Sequence, residues 1–387
     1  MQQSEAETQT AYAAVDWLAG QRPEMEALLG RIVDIDSGSR QEAGVAAVAQ
    51  TLRAHLDAAG IATELHPVPG YGVLLDALVP GTADDAPVVL MGHMDTVYPA
   101  GTVARRPFRV EHGRAYGPGV ADMKSGLVLN VFVAEALARC GGNTRPVRLF
   151  FSCDEEIGSP ATRERIMDVA RGAHAVFNAE PGRVSGNLVT ERKGSMVVAF
   201  EVEGVAAHSG INHAHGASAI DALARKILAL HALTDPERGI TTNVGQVQGG
   251  IVANMVAPHA KAELDVRYTA ETELDALYAT IREIIERESL PRTRGWITDT
   301  RRTLPMARTP DALLALYQRG AQQLGFAVNG EFTGGAADSG LTASVGTPTL
   351  CGTGPVGGHP HTEREYCELS TFVPRAQALA LAVIGLR

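Results

Sequence analysis

Apolar residues recur along the chain at two different periods, and the changes of period mark out the elements. Spacings of three and four predict a helix over residues 41–59, stopped by Gly60. Strand-like runs follow at 61–67 and 72–78, and a continuous apolar run at 88–91 reads as a buried strand. A second helix is predicted over 124–140, ended by Gly141 and Gly142, and then apolar strands at 147–151 and 173–177. Helix and strand alternate, the pattern of an α/β fold whose mostly parallel sheet is covered by helices.

Beyond about residue 185 the order changes to strand 196–202, helix 218–233, strands 241–247 and 262–268, helix 271–288 and strand 296–300. That βαββαβ sequence is the split arrangement of a small ferredoxin-like α+β domain. Helices at 310–324 and 371–386 then flank a glycine-rich segment with a short strand at 348–351. The simplest architecture is one domain made of residues 1–185 and 304–387, interrupted by a second at 186–303.

Composition narrows the class. With 387 residues and 45% hydrophobic content, the chain is long enough for two cores. No apolar run approaches the roughly 20 residues of a spanning helix, and the first ten residues lack a secretory pattern. A cytoplasmic protein without a membrane partner is expected, although a trimmed leader would leave no trace here. A net charge of −10 disfavours nucleic acid, which needs a concentrated basic face, and the Arg-rich stretch 292–302 reads as a solvated edge. Cys140, Cys153, Cys351 and Cys367 have no CxxC pairing, so neither a disulfide framework nor a thiolate zinc site is indicated.

Ligands of open α/β sheets gather beyond the carboxyl ends of the strands, so the residues that terminate each strand matter most. The run 88–91 leads into Gly92, His93, Met94 and Asp95, the strand 147–151 into Asp154, Glu155 and Glu156, and the strand 173–177 into Glu180. A glycine-rich turn places Asp122 just before a helix, and His359 and His361 sit in a second such stretch. Histidine and carboxylate without cysteine suit a catalytic metal site, because structural zinc usually takes thiolates and has no open position. Each residue also has an ordinary explanation: His93 as a core histidine, Asp95 as a turn residue, Asp122 as a helix N-cap, and Glu155 with Glu156 as a solvated pair. Their combination is more telling. Asp95, two residues beyond His93 on an extended segment, points to the same side and can orient the imidazole. The side chains of Glu155 and Glu156 must diverge, so one can bind metal while the other handles protons.

As an ordered set these motifs resemble the co-catalytic zinc family that contains bacterial glutamate carboxypeptidase, acetylornithine deacetylase, succinyl-diaminopimelate desuccinylase and the aminoacylases. The resemblance runs nearly the full length, through GHMDTV, GPGVADMKSG, SCDEEIGS, NAEP and the histidine before EREY. It implies a zinc-exopeptidase catalytic domain with an inserted lid and dimerisation domain, and two Zn2+ per subunit, with Co2+ or Mn2+ as alternatives. Asp122 would bridge the ions, His93 and Glu180 would complete one coordination sphere, and Glu156 and His361 the other. Glu155 would be the general base, and a cis peptide after Asp122 is implied. His361 keeps the family's distance to the following Glu365–Tyr366 pair, and His359 is the alternative.

In the inserted domain, AAHSG matches the family's lid motif, so His208 would reach the other subunit of a homodimer and stabilise the oxyanion. Asn254 in ANMVAP and Arg267 in ELDVR match positions that bind the substrate's carboxylate and reaction-centre oxygen. Without the resemblance, His208 reads as a turn histidine and Arg267 as a salt-bridged strand residue. Gly335 in GGAAD matches a pocket-lining loop, which departs from the family at Ser339 and Gly340. The expected reaction is cleavage of an amide bond next to a free carboxylate in a small peptide or an N-acyl amino acid. A carboxypeptidase and an N-acyl-amino-acid deacylase share this machinery. A catalytically inactive metal-binding relative is disfavoured by the presence of Glu155, His208, Asn254 and Arg267. A serine hydrolase lacks its G-x-S-x-G elbow, and Asp122 breaks the dinucleotide pattern begun by Gly117 and Gly119.

Overall fold

The structure, a computed structural model, describes residues 13–387. The chain divides into two compact units: the first takes in the chain up to Glu191 with Ala307–Phe332 and Leu341–Arg387, and the second Arg192–Met306 with Thr333–Gly340. The sequence reading left residues 333–340 with the first domain. They go with the second because Lys193 N donates to Thr333 O (3.1 Å), Arg192 Nη1 donates to Gly335 O (3.1 Å), and Gly340 packs against the backbone of Leu304.

After a helical stretch at residues 13–19, the first unit contains, in chain order, α1 (Arg22–Val33), α2 (Glu42–Ala58), β1 (Thr63–Val68), β2 (Gly72–Val79) and β3 (Val88–His93). The short strands β4 (Arg109–Glu111) and β5 (Arg114–Tyr116) precede α3 (Ser125–Cys140), β6 (Val147–Ser152), α4 (Arg163–Arg171), β7 (Ala175–Asn178) and β8 (Leu188–Arg192). The second unit contributes β9 (Gly194–Glu203), α5 (Ala219–His231), β10 (Thr241–Gly249), β11 (His259–Tyr268), α6 (Leu274–Glu286) and β12 (Arg294–Thr303). The chain closes with α7 (Asp311–Gln323), β13 (Gly330–Thr333), β14 (Thr349–Cys351), β15 (Gly357–Gly358), β16 (Tyr366–Glu368) and α8 (Phe372–Ile384).

The large sheet of the first unit runs β1-β2-β6-β3-β7-β14-β8-β13. Its centre, β6, β3, β7 and β14, is parallel as expected. The flanks are antiparallel, which the alternating pattern did not predict. The connection between β1 and β2 is only residues 69–71, too short for the crossover that parallel neighbours require. Every residue of β3 is buried, which explains its continuous apolar run. Helix α3 is buried along almost its whole length and packs against β3, β6 and α8. A second, small sheet of order β15-β16-β5-β4 was not foreseen, because strands of two or three residues carry no readable period.

The second unit has the sheet order β10-β11-β9-β12, all antiparallel. Counted within the unit this is fourth-first-third-second, the ferredoxin-like topology. Met196, Val198, Phe200 and Val202 of β9 alternate into a core shared with Leu223 and Leu230 of α5 and Ile281 and Ile285 of α6. Among the described residues no helix is long and apolar enough to cross a membrane.

Candidate metal centre

The parallel centre of the large sheet places three strand ends side by side. Leu90 of β3 is level with Leu149 of β6 on one side and Phe177 of β7 on the other, and His93 is level with Ser152. The ladders run on to the tips through Met94 N to Ser152 O (2.9 Å) and Ala179 N to Met91 O (3.0 Å). His93, Glu155, Glu156 and Glu180 therefore leave the sheet along one rim.

Asp122 reaches that rim on the turn before α3. Gly119 holds a left-handed φ of 73°, and a Cβ there would meet Thr96 Cγ2 at 2.4 Å, so the turn requires glycine. The Asp122–Met123 peptide is cis, as the resemblance implied. Lys124 anchors the far side of the turn, its buried amine donating to Ile35 O (2.8 Å) and pulled down to about 7 by that burial.

Two triads form around Asp122. Its Oδ1 lies 3.2 Å from His93 Nε2, which is 3.8 Å from Glu180 Oε1. Its Oδ2 lies 3.3 Å from His361 Nε2, which is 3.2 Å from Glu156 Oε2. Within each triad the candidate ligand atoms lie within 4.8 Å of one another. Glu155 Oε2 sits beside the first triad, 3.9 Å from His93 Nε2. His361, not His359, belongs to the cluster; the His359 ring instead meets Tyr366 edge-on.

The charges in this cluster are strongly interdependent. Burial works to raise Asp122, but hydrogen bonds from His361 and His93 outweigh it and hold the carboxyl well below its usual range. Glu156 is pushed up to about 7 by burial and by the neighbouring Asp122. His361, bonded to Asp122 and Glu156, rises to about 10. Burial acts to lower His93, yet its bonds to Asp122 and Asp95 carry it well above its ordinary value. The positive charge that these carboxylates draw onto two imidazoles is the charge a bound cation supplies. Glu156 Oε1 is buried with no hydrogen-bond partner among the described residues, and the donors are imidazole and carboxylate alone. Both facts fit a divalent ion of the zinc, cobalt or manganese kind.

Asp95 meets His93 mainly through its backbone and has a further part that the sequence did not suggest. The nearest partner of His93 Nδ1 is the Asp95 backbone oxygen at 2.9 Å, with Oδ1 at 3.5 Å. The carboxylate also accepts from Glu155 N (3.1 Å), Glu156 N (3.2 Å) and Ser39 Oγ (2.6 Å), so it fixes the turn that carries both glutamates. Sequence reasoning gave no role to Glu365. This buried carboxylate accepts from Gly119 N (3.0 Å), Ala121 N (2.9 Å) and Asp122 N (3.0 Å), and from the Tyr98 hydroxyl (2.7 Å). Its place four residues after His361 was the available signal.

The other candidates lie in the second unit. His208 is exposed, its Nδ1 accepting from Gly210 N (3.2 Å), and its loop runs beside that of Asn254, whose backbone oxygen accepts from Ser209 N (3.0 Å). Arg267 lies on β11 and donates to Asp265 Oδ2 (3.0 Å). Gly335 is held through its carbonyl by Arg192 (3.1 Å).

A model of the peptidase family described as M20/M25/M40 matches residues 89–384. The chain is 28% identical over 375 residues to carboxypeptidase G2 of Pseudomonas sp. (strain RS-16), covering 94% of this chain and 89% of that protein. It is 26% identical to the succinyl-diaminopimelate desuccinylase of Nitrosospira multiformis, covering 78% of this chain and 85% of that one. Among solved structures, a tripeptidase from Staphylococcus aureus superposes with a TM-score of 0.78 at 20% identity, covering 94% of this chain and 97% of that one.

Proposed function

We propose, from the premise that the chain belongs to peptidase family M20/M25/M40, that this hydrolase uses a pair of zinc ions to cleave an amide bond next to a free carboxylate. The observation that carries the reading is the division of one carboxylate, with Asp122 Oδ1 3.2 Å from His93 and Oδ2 3.3 Å from His361. His93 and Glu180 would hold one ion, Glu156 and His361 the other, and Asp122 both. Such a pair would supply a water acidic enough to ionise near neutral pH and a Lewis acid for the scissile carbonyl.

The chain's own groups do the rest. Glu155, set beside the first triad and positioned through Asp95, accepts the proton of the attacking water and returns it to the departing amine nitrogen. His208 donates to the oxygen on which negative charge develops, a contribution of about 2.7–4 kcal/mol for one such donor. Arg267, Asn254 and Gly335 bind the substrate, the planar guanidinium suiting its carboxylate.

The second unit's own geometry supports a homodimer. His208 and Asn254 lie beyond the end of β11 that begins at His259, and Arg267 lies eight residues further along that strand, about 26 Å away at ~3.3 Å per residue. A substrate the size of an amino acid cannot touch both sets in a single subunit. The two sets serve one substrate only if different subunits supply them.

Similarity over 94% of the chain to a carboxypeptidase favours release of a C-terminal amino acid, with glutamate as the first residue to test. Deacylation of an N-acyl amino acid is the second reading, favoured by the likeness to a desuccinylase. A panel of dipeptides, folate-like acyl-glutamates and N-acetyl amino acids, offered to zinc-loaded protein, separates them. Turnover of peptides and acyl-glutamates is expected. Turnover of N-acetyl amino acids alone would establish the deacylase, and turnover of none would reject both.

A further inference from the structure

We infer that the Tyr98 hydroxyl is a positioning group that sets the affinity of the ion site formed by Asp122, Glu156 and His361, independently of the site formed by His93, Asp122 and Glu180. The inference rests on the two-ion reading above.

Of the five candidate ligands, His361 is the one least held by its surroundings. Its side chain is 52% exposed, against 14% for Asp122 and 2% for His93. His361 and His359 both hold left-handed backbone conformations, with φ of 62° and 54°. Non-glycine residues are strained in that region and persist only where neighbouring structure enforces them. Here the enforcement falls on Thr362. Its hydroxyl donates to His359 O (2.8 Å), closing the turn, and its carbonyl lies 2.8 Å from the Tyr98 hydroxyl. Arg106 Nη2 donates to the same carbonyl at 3.4 Å, and its guanidinium lies over the Tyr98 ring, 5.2 Å from the centroid.

The same hydroxyl lies 2.7 Å from Glu365 Oε2. Glu365 in turn uses Oε1 to hold the backbone of Ala121 and Asp122. Set between two acceptors, the hydroxyl shares its single proton between Thr362 O and Glu365 Oε2, and so links the backbone next to His361 to the carboxylate that fixes the Asp122 turn, which sets the spacing between the two ligands. His93 and Glu180 stand outside this connection, because strand tips of the central sheet hold them. Removing the hydroxyl loosens the His361 loop, which keeps only the longer Arg106 bond and the turn closed by Thr362, but leaves Glu365 on the Asp122 turn, so only one ion site is disturbed. Removing the carboxylate disturbs Asp122, which both sites share.

The test is stepwise titration of metal-free protein with Co2+, followed by visible absorption and by competition with a chromophoric chelator. Wild type should bind two ions. Tyr98→Phe, which keeps the ring and its contact with Arg106, should weaken one ion by about 10- to 100-fold and leave the other unchanged, the scale typical of losing a hydrogen bond behind a ligand. Glu365→Gln should weaken both. If Tyr98→Phe leaves both affinities unchanged, or weakens both equally, the inference fails while the two-ion reading stands. If wild type binds fewer than two ions, the two-ion reading fails and takes the inference with it. Should Glu365→Gln not fold, Tyr98→Phe decides alone.

Discussion

Glu155 and Glu156 are adjacent and chemically identical, so only their surroundings separate a proton carrier from a ligand. Glu156 lies 3.2 Å from His361 in a triad, whereas Glu155 stands beside the other triad, 3.9 Å from His93. Glu155→Gln should therefore retain both ions and lower kcat by about 10²- to 10⁴-fold, the usual worth of a general base, as read by steady-state kinetics with elemental analysis. Asp122→Ala should instead strip the metal. Full activity in Glu155→Gln would move the base to another residue. At this scale the sequence was readable where side chains meet side chains: His93, Asp122 and Glu180 stood out by residue type and by position at a strand end or turn, whereas the choice of Glu156 over Glu155 and of His361 over His359 came only from the family resemblance; the five side chains meet in two triads. It was silent where a side chain meets backbone. Glu365 and Asp95 gather N–H groups, and a backbone donor leaves no mark in an amino-acid sequence.

The elements that hold the site are those whose period is cleanest. Strands β3, β6 and β7 and helix α3 were each foreseen within about two residues, because long apolar runs and a glycine stop leave little ambiguity. Helix α4 was not foreseen; of its nine residues only Ile166, Val169 and Ala170 are buried, too few to stand out from a polar stretch. One contact between elements bears directly on the metal centre. Gly126, in the first turn of α3, comes so close to the tip of β7 that an added Cβ would meet Ala179 O at 1.9 Å. Ala179 precedes Glu180, so Gly126→Ala must push that ligand's segment away from the rim. An overpacking cost of about 1–3 kcal/mol is expected in chemical denaturation, together with weaker binding of the ion at His93 and Glu180. Unchanged stability and metal affinity would mean that the helix can shift without moving the strand tip.

At the scale of the molecule, the claim with most reach is that two subunits complete each other's sites. Glu155→Gln and His208→Ala chains should each be nearly inactive. After mixed refolding, half the dimers carry one of each chain, and each such dimer holds one intact site, so about a quarter of wild-type activity should return. No recovery, with dimers verified by light scattering, would place His208 and Glu155 in the same subunit's site or remove His208 from the reaction. The βαββαβ order of the second unit was legible because its strands and helices are long, but pairing between chains leaves no period to read. All of these expectations depend on two ions at one rim of the sheet. Anomalous diffraction from a zinc-soaked crystal tests that most directly. Two peaks about 3.5–4 Å apart are expected, one against His93 and Glu180 and one against Glu156 and His361, with Asp122 between them. A single peak, or none at these residues in active protein, would contradict it.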